Sequence, residues 1–193
     1  MAIDLKKDFP ELYRPGTRDF VRVQVPATRY LALDGQGDPN TAPAYRRALE
    51  TLYPAAYAVR AAMKKRAGDA FVVGPLEALW WADDPADFVA GNKNAWQWTL
   101  MIPLPAQVTS EDLAVSDVEV RILEEGECLQ IMHVGPYDAE GPTLARLNHE
   151  IMPSLGLTFN GAHHEIYLSD PRRSAPEKLR TVLRQPVRLS GVP

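Results

Sequence analysis

The stretch PAYRRALETLYP, residues 43–54, decides how this chain is organised, because PTLARLNHEIMP at residues 142–153 repeats its pattern. In both stretches two prolines bracket apolar residues at helical spacing, and the interval between the prolines is the same. A β-like run and a glycine-bearing turn precede each stretch, with Gly35 in the first and Gly135 in the second. A strand that carries a glutamate among apolar residues follows each stretch. The sequence therefore predicts a duplicated unit, and a duplication of this kind predicts a cleft between its copies.

The strand pattern around the two helices indicates the fold class. Alternating or apolar runs predict strands at 21–25, 30–34, 71–81, 96–104, 118–122, 129–134, 163–168 and 179–186. Because only two substantial helices interrupt these strands, the pattern favours an α+β fold over a doubly wound parallel sheet. We expect two pseudo-symmetric β-α-β-β halves that form a largely antiparallel sheet, with two main helices on one face and a ligand cleft between the halves.

The domain organisation follows from the same duplication. We interpret residues 1–193 as a single domain, with an N-terminal extension at 1–17, a first half at 18–110 and a second half at 115–190. Pro54 lacks a backbone donor, so it predicts a kink or a split in the first helix.

Composition excludes several classes of function. With 46% hydrophobic residues and a formal net charge of −4, the chain can bury a core and has no bulk attraction to nucleic acid or anionic membrane. The single cysteine, Cys128, excludes an internal disulfide, and its strand-like surroundings favour a buried thiol over a nucleophile. The charged N-terminus has no apolar signal-peptide core, and no apolar run is long enough to span a bilayer. We expect a cytoplasmic protein, and the sequence sets no oligomeric state.

Glu165 is the strongest candidate for chemistry. In an alternating strand, His163, Glu165 and Tyr167 share one face, whereas Ile166 lies on the other. The Ile166 face suits packing on the helix, so we expect the Glu165 face to point away from the helix, toward the cleft. A carboxylate among aromatic and apolar groups can bind a cation or act as a general acid or base. The alternative is a surface glutamate that pairs with Arg172 or Arg173. Glu77 is the weaker positional counterpart in the first half.

The tryptophans form a second candidate feature. Trp80, Trp81, Trp96 and Trp98 all lie in one predicted strand pair, and Trp96 and Trp98 share a face. Such residues can form an aromatic wall for flat or cationic ligands, or they can simply fill a core. Trp80 and Trp81 point to opposite faces, so at least one of them is expected in the core.

Tyr137 follows the Gly135-Pro136 turn directly after a strand and precedes the second helix. At that position its phenol can donate a hydrogen bond to a ligand, or its ring can pack on its own loop. No metal or other cofactor is expected, because His163 and His164 are adjacent and therefore face opposite ways in a strand, and His133 and His149 have no carboxylate at ligand spacing.

The duplicated halves, the Gly135-Pro136-Tyr137 turn and the run HHEIYLSDP at residues 163–171 resemble the GyrI-like small-molecule-binding family. This family includes the DNA gyrase inhibitory protein and the effector domains of multidrug-sensing regulators. The segments LEALWW and WQWTL, at 76–81 and 96–100, are similar to those of its stand-alone members. The resemblance covers roughly residues 21–187.

The resemblance implies a central ligand cleft in which Glu165 matches the family's cleft glutamate, with aromatic residues on the walls. Because the chain has no room for an attached DNA-binding domain, we expect no direct nucleic-acid contact. Some stand-alone members resemble hydrolases of strained electrophiles such as cyclopropane-bearing DNA alkylators.

Two main functional hypotheses remain. The first is a hydrolase that detoxifies lipophilic, aromatic or electrophilic xenobiotics, with Glu165 and Tyr137 as catalytic residues. The second is a non-catalytic module that sequesters such compounds. For both we expect ligand contacts from the residues Trp81, Trp96, Trp98, Tyr167, Glu77 and His163. Inhibition of DNA gyrase, a protein–protein function, is a third alternative and rests on the resemblance alone.

Overall fold

The computed structural model describes residues 2–84, 91–114 and 117–191. The helices are α1 (Leu5–Asp8), α2 (Pro10–Tyr13), α3 (Pro43–Ala67), α4 (Gly141–Arg146) and α5 (Met152–Ser154), and a π-helical stretch at Leu147–Ile151 joins the last two. The strands are β1 (Val21–Val25), β2 (Thr28–Gln36), β3 (Leu76–Trp81), β4 (Gln97–Leu104), β5 (Glu119–Leu123), β6 (Gly126–Val134), β7 (Leu157–Phe159), β8 (His163–Tyr167) and β9 (Arg180–Leu189). These strands pair antiparallel, which confirms the α+β class.

The contacts within the chain divide it into two compact units. The first unit comprises Met1–Asp8 and Ala27–Leu123, and the second comprises Phe9–Pro26 and Glu124–Pro193. β1 belongs to the second unit because it pairs with β6. The predicted halves at 18–110 and 115–190 describe a duplication along the sequence and stay a prediction; residues 115 and 116 lie outside the described residues.

The first unit is built around the strand order β3-β4-β2-β5. The long helix α3 packs against β2 and β4 through a buried stripe, and the buried members of this stripe are Ala48, Leu52, Ala56, Val59 and Met63. Their three- and four-residue intervals are the helical period that the sequence indicated. α3 continues through Pro54, so the helix is not split there. Burial of the stripe outweighs the loss of one backbone hydrogen bond at the proline.

The second unit has the strand order β1-β6-β9-β8, and β7 also pairs with β9. The helical segment 141–154 packs on one face of this sheet, where Leu147 and Met152 form a buried cluster with Leu129 of β6 and Val187 of β9. Phe20 and Ile151 extend the same cluster. The face that meets these helices therefore carries the odd-numbered residues of β6 and β9.

Candidate functional site

Glu165 lies in the middle of β8, with its side chain 13% exposed. The hydroxyl of Tyr167 donates a hydrogen bond to its Oε2 at 2.7 Å. Its other oxygen, Oε1, lies 3.5 Å from Nε2 of His163, which is itself buried. The alternation of the strand brings these three side chains to one face, as the sequence predicted. Glu165 is therefore not the surface glutamate, paired with Arg172 or Arg173, of the alternative hypothesis.

The prediction that the Glu165 face points away from the helix is wrong. Glu165 pairs with Leu183, and Leu183 pairs with Ile131, so these residues share a face with Leu129 two positions away on β6. Leu129 packs against Leu147 of the helical segment. The carboxylate of Glu165 thus lies on the side that carries the helices. The alternation of β8 could not show which face meets the helices, because Ile166, on the opposite face from Glu165, is also fully buried.

The opposite face of β8 is buried against an ion network that the sequence analysis missed. His164 Nδ1 lies 2.9 Å from Glu125 Oε1, and Arg184 Nη1 donates to Glu125 Oε2 at 3.2 Å. Arg184 also donates to Gln130 and, through Nη2, to the carbonyl of Leu12 in α2 at 2.9 Å. Burial alone would raise the pKa of Glu125, but the charges of His164 and Arg184 lower it to about 2. This network fixes α2 to the sheet of the second unit.

Tyr137 is brought to Tyr167 by the turn that follows β6. Gly135 adopts φ 141°, a conformation that favours glycine, and a Cβ there would approach Nε2 of His133 at 3.3 Å. The chain then forms a 3₁₀ turn at Tyr137–Ala139. The ring of Tyr137, which is 37% exposed, meets the ring of Tyr167 edge to face with centroids 5.5 Å apart. Tyr137, Tyr167 and Glu165 therefore form one continuous group, and the sequence had indicated each of them.

Glu140 is a residue of this site that the sequence analysis did not identify. It follows the 3₁₀ turn directly, and its amide donates to the carbonyl of Tyr137 at 3.1 Å. Only 5% of the residue is exposed, and its Oε1 is buried with no hydrogen-bond partner among the described residues. Burial, reinforced by the charges of Glu165 and Asp138 and only partly opposed by the hydroxyl of Thr181, raises the pKa of Glu140 to about 10. A glutamate before a helix is ordinarily solvated, so the only sequence signal was its position three residues after Tyr137.

Glu77 occupies a different environment from its counterpart. It lies on β3 in the first unit and is completely buried. The hydroxyl of Tyr30 donates to its Oε2 at 3.1 Å, and Tyr30 packs in a core cluster with Ala32 and Met101. Glu77 is thus a hydrogen-bonded core carboxyl of the first unit, and its role in ligand binding stays a prediction.

The four tryptophans lie in the first unit and divide into buried and half-buried pairs. Trp98 is fully buried beneath Gly35, where any Cβ would meet the indole ring at 2.1 Å, and its Nε1 donates to the carbonyl of Gly37 at 3.3 Å. Trp80 is also buried. Trp98 therefore packs as a core side chain.

The half-buried pair consists of Trp81 and Trp96. Trp96 meets Trp80 edge to face with centroids 5.8 Å apart, and the ammonium of Lys93 lies 5.7 Å from the Trp96 ring. Trp81 lies on the face of β3 that carries Glu77, opposite Trp80. Both rings are partly exposed, and their contact with a ligand stays a prediction.

Cys128 and the possible metal ligands are the other candidate chemical groups. Cys128 is a buried free thiol, as the sequence predicted, and burial raises its pKa to about 12. Within residues 2–84, 91–114 and 117–191, no group of three or more His, Cys, Asp or Glu side chains is arranged to hold a metal ion. In the same ranges no helix combines the length and apolarity needed to cross a bilayer.

A half-buried carboxylate beside two tyrosine rings is the kind of group that sites for small molecules contain. The model of the GyrI-like small molecule binding domain matches residues 19–188, and the chain belongs to this family. This confirms the resemblance noted from the turn and the β8 motif.

Solved structures agree with this assignment. An uncharacterised conserved protein from Listeria innocua is 39% identical with a TM-score of 0.86, and the match covers 96% of this chain and all (100%) of that one. A hydrolase from Listeria innocua is 38% identical with a TM-score of 0.80, over 96% of this chain and 100% of the hydrolase. The C-terminal domain of EcmrR shares the fold at 11% identity, with a TM-score of 0.58 over 89% of this chain and 98% of that domain. No curated protein matches the sequence of this chain.

Proposed function

We propose that this protein binds lipophilic, aromatic or electrophilic compounds at the Glu165 site and hydrolyses them with Glu165 as the general base. The observation that carries the proposal is the half-buried Glu165 carboxylate with one oxygen already engaged by Tyr167 at 2.7 Å. Because Oε2 accepts that hydrogen bond, Oε1 is the oxygen that takes a proton from water. A carboxylate oxygen that lies beside a bound substrate and a water molecule can act as a general base.

The tyrosine rings support the choice of substrate. Tyr137 and Tyr167 present aromatic surface within 5.5 Å of each other, beside the carboxylate. Aromatic surface next to a polar group is typical of sites for small lipophilic molecules. The hydrolase from Listeria innocua, at 38% identity, is consistent with catalysis on this fold. A cytoplasmic enzyme of this kind would detoxify xenobiotic electrophiles, and strained rings that resemble cyclopropane-bearing alkylators are the class we favour.

Turnover of an electrophile panel tests the proposal directly. The chain is incubated with epoxides and spirocyclopropyl dienones, and products are followed by mass spectrometry. We expect products that have gained one water, in amounts that exceed the protein many times over. A heat-denatured sample is the control. Recovery of unchanged electrophiles, or of a covalent protein adduct alone, would contradict hydrolysis.

The second candidate is a non-catalytic module in which Glu165 is a counter-ion. The observation that favours it is the same carboxylate beside the Tyr137–Tyr167 pair, since an aromatic cation can stack on the rings and pair with the charge. Binding of an arylphosphonium cation, measured by calorimetry with a neutral aromatic of the same size as control, tests it. A preference for the cation that Glu165→Gln removes, with no turnover in the parent, would favour this function.

A further inference from the structure

The sheet of the first unit ends in an edge strand that carries exposed apolar side chains. β5 (Glu119–Leu123) pairs with β2, and its outer side has no strand partner among the described residues. Ile122 is 64% exposed, the highest value among the large apolar side chains that the structure describes, and Val120 is 44% exposed. An unpaired edge is a template on which another strand can pair. β5 is therefore a surface that a further strand can cover.

The charged side chains of β5 lie on its other face and have opposite signs. The side chains of Glu119 and Arg121 are 69% and 36% exposed, and Nη2 of Arg121 lies 2.6 Å from Oε2 of Glu119. The guanidinium also donates to both oxygens of Asp34 on β2, at 3.0 and 2.9 Å, which fixes its position at the edge of the sheet. Nε of Arg121 donates to no described residue, so one donor remains for a carboxylate from another chain.

The stretch VEVRI, residues 118–122, is self-complementary for antiparallel pairing about Val120. Two copies that pair in this register place Glu119 of each chain opposite Arg121 of the other. On the opposite face the two Val120 side chains meet between the two Ile122 side chains. This register therefore pairs opposite charges on one face and covers the exposed apolar side chains on the other.

The charges disfavour the neighbouring registers. Antiparallel pairing about Arg121 would place two guanidinium groups opposite each other, and pairing about Glu119 would do the same with two carboxylates. Pairing about Ile122 would place Val120 opposite the charged Glu124. Parallel pairing in register would align each charge with its own copy. Only the register centred on Val120 combines charge attraction with apolar contact.

We propose that β5 is the interface of a homodimer in which two copies pair antiparallel about Val120. Such a twofold contact closes the assembly, because the same edge is used in both chains. Pairing of β5 with the edge strand β1 of another copy would instead leave free edges and produce filaments. Five residues a side bury less than a standard interface of about 1,600 Å², so we expect a weak dimer that depends on protein concentration. This surface lies outside the Glu165 site, and the inference does not depend on hydrolysis.

Sedimentation velocity at protein concentrations from low micromolar to millimolar tests the dimer. We expect the wild-type protein to shift from monomer toward dimer across this range. Ile122→Lys should stay monomeric throughout, because a lysine on an edge strand opposes pairing. Val72→Lys is the matched control, since Val72 precedes β3 in the same unit, is 41% exposed and should leave the dimer unchanged. A wild-type protein that stays monomeric or forms larger assemblies would overturn the proposal, as would dimerisation of Ile122→Lys to the wild-type extent.

An exchange of charge between two variants tests the register. Glu119→Arg gives β5 two cations, and Arg121→Glu gives it two anions, so each variant alone should stay monomeric. An equimolar mixture restores both pairs of opposite charge across the interface, and we expect it to form a heterodimer. A folding defect cannot produce this recovery, because mixing changes neither chain. A mixture that stays monomeric, with both variants keeping the circular dichroism spectrum of the wild type, would overturn the proposal.

Discussion

At the residue scale, the second unit places acidic side chains in opposite electrostatic surroundings on the two faces of one sheet. Glu125 is held ionised by His164 and Arg184, whereas Glu140, with Glu165 and Asp138 as its charged neighbours, is held neutral. Burial opposes ionisation in both cases, so the nearest partner charges decide the outcome. The Glu140 carboxyl therefore lowers the stability of the folded protein, whereas the Glu125 carboxyl raises it.

Replacing Glu140 should stabilise the protein, increasingly as pH rises. Above its unfolded pKa of 4.5 the unfolded chain releases the Glu140 proton, whereas the folded chain keeps it up to about 10. Folding stability therefore falls through this window by at most about 1.4 kcal/mol per pH unit. Glu140→Gln removes this loss. Urea denaturation at about pH 5.5 and about pH 8.5 should show a gain over wild type that is larger at the higher pH. A gain that does not change with pH would contradict the assignment.

Removing the charge of Glu125 should have the opposite effect. Glu125→Gln leaves Arg184 buried without its counter-ion, and we expect a loss of about 3–5 kcal/mol near neutral pH. The contribution of Glu125 is present above about 4.5 and is lost as pH falls toward about 2, so the difference should shrink in acid. Glu127→Gln is the control, since its ion pair with Arg22 at 2.9 Å is exposed and should be worth less than about 1 kcal/mol. Equal effects of the two substitutions in urea denaturation would contradict the argument.

At the element scale, the sequence pattern predicted α3 because it buries one regular stripe, and it predicted a strand such as β4 because that segment is an apolar run buried on both faces. It could not predict which face of β8 meets the helices, since α2 and the Arg184 network bury the second face as well. The three-residue strand β7 is too short for alternation to identify. Glu140 escaped notice for a related reason: its burial is tertiary, and Glu165, the larger of the two charges that act on it, lies far along the sequence.

The uninterrupted course of α3 leads to a prediction at this scale. Pro54 is exposed in the middle of a 25-residue helix, where it lacks a backbone donor. Pro54→Ala should restore one hydrogen bond and stabilise the protein by about 1–3 kcal/mol, measured by urea denaturation. Ala58→Gly, one turn further along the exposed side, should cost about 1 kcal/mol. Destabilisation by Pro54→Ala would mean that the helix needs the proline geometry.

At the scale of the whole molecule, the two units carry different groups of functional side chains. All four tryptophans lie in the first unit, and the carboxyl–tyrosine group lies in the second. Intrinsic tryptophan fluorescence therefore reports on the first unit. Within that unit Trp98 is fully buried and packs in the core, whereas Trp81 is half-buried and its contact with a ligand stays a prediction.

Substitution of single tryptophans should separate these roles. Trp98→Ala should cost about 3–5 kcal/mol of stability in urea denaturation, because it empties a fully buried site. Trp81→Ala and Trp96→Ala should cost less stability and should reduce the fluorescence that acrylamide quenches in the native protein. If either lowers the affinity for an aromatic cation by about 1–3 kcal/mol, the predicted aromatic wall is confirmed for that residue. Equal stability losses at all three positions would mean that they are core residues alone.

The central claim is that Glu165 is the base of a hydrolase, and turnover of an electrophile by Glu165→Gln tests it most directly. Gln keeps the shape and can still accept the hydrogen bond of Tyr167, but it cannot take a proton from water. We predict that hydrolysis falls by about 10²–10⁴-fold, while the melting temperature and the binding of neutral aromatics are kept. Glu177→Gln, at an exposed position of the second unit, is the control and should be fully active. Hydrolysis by Glu165→Gln at the wild-type rate would contradict the account.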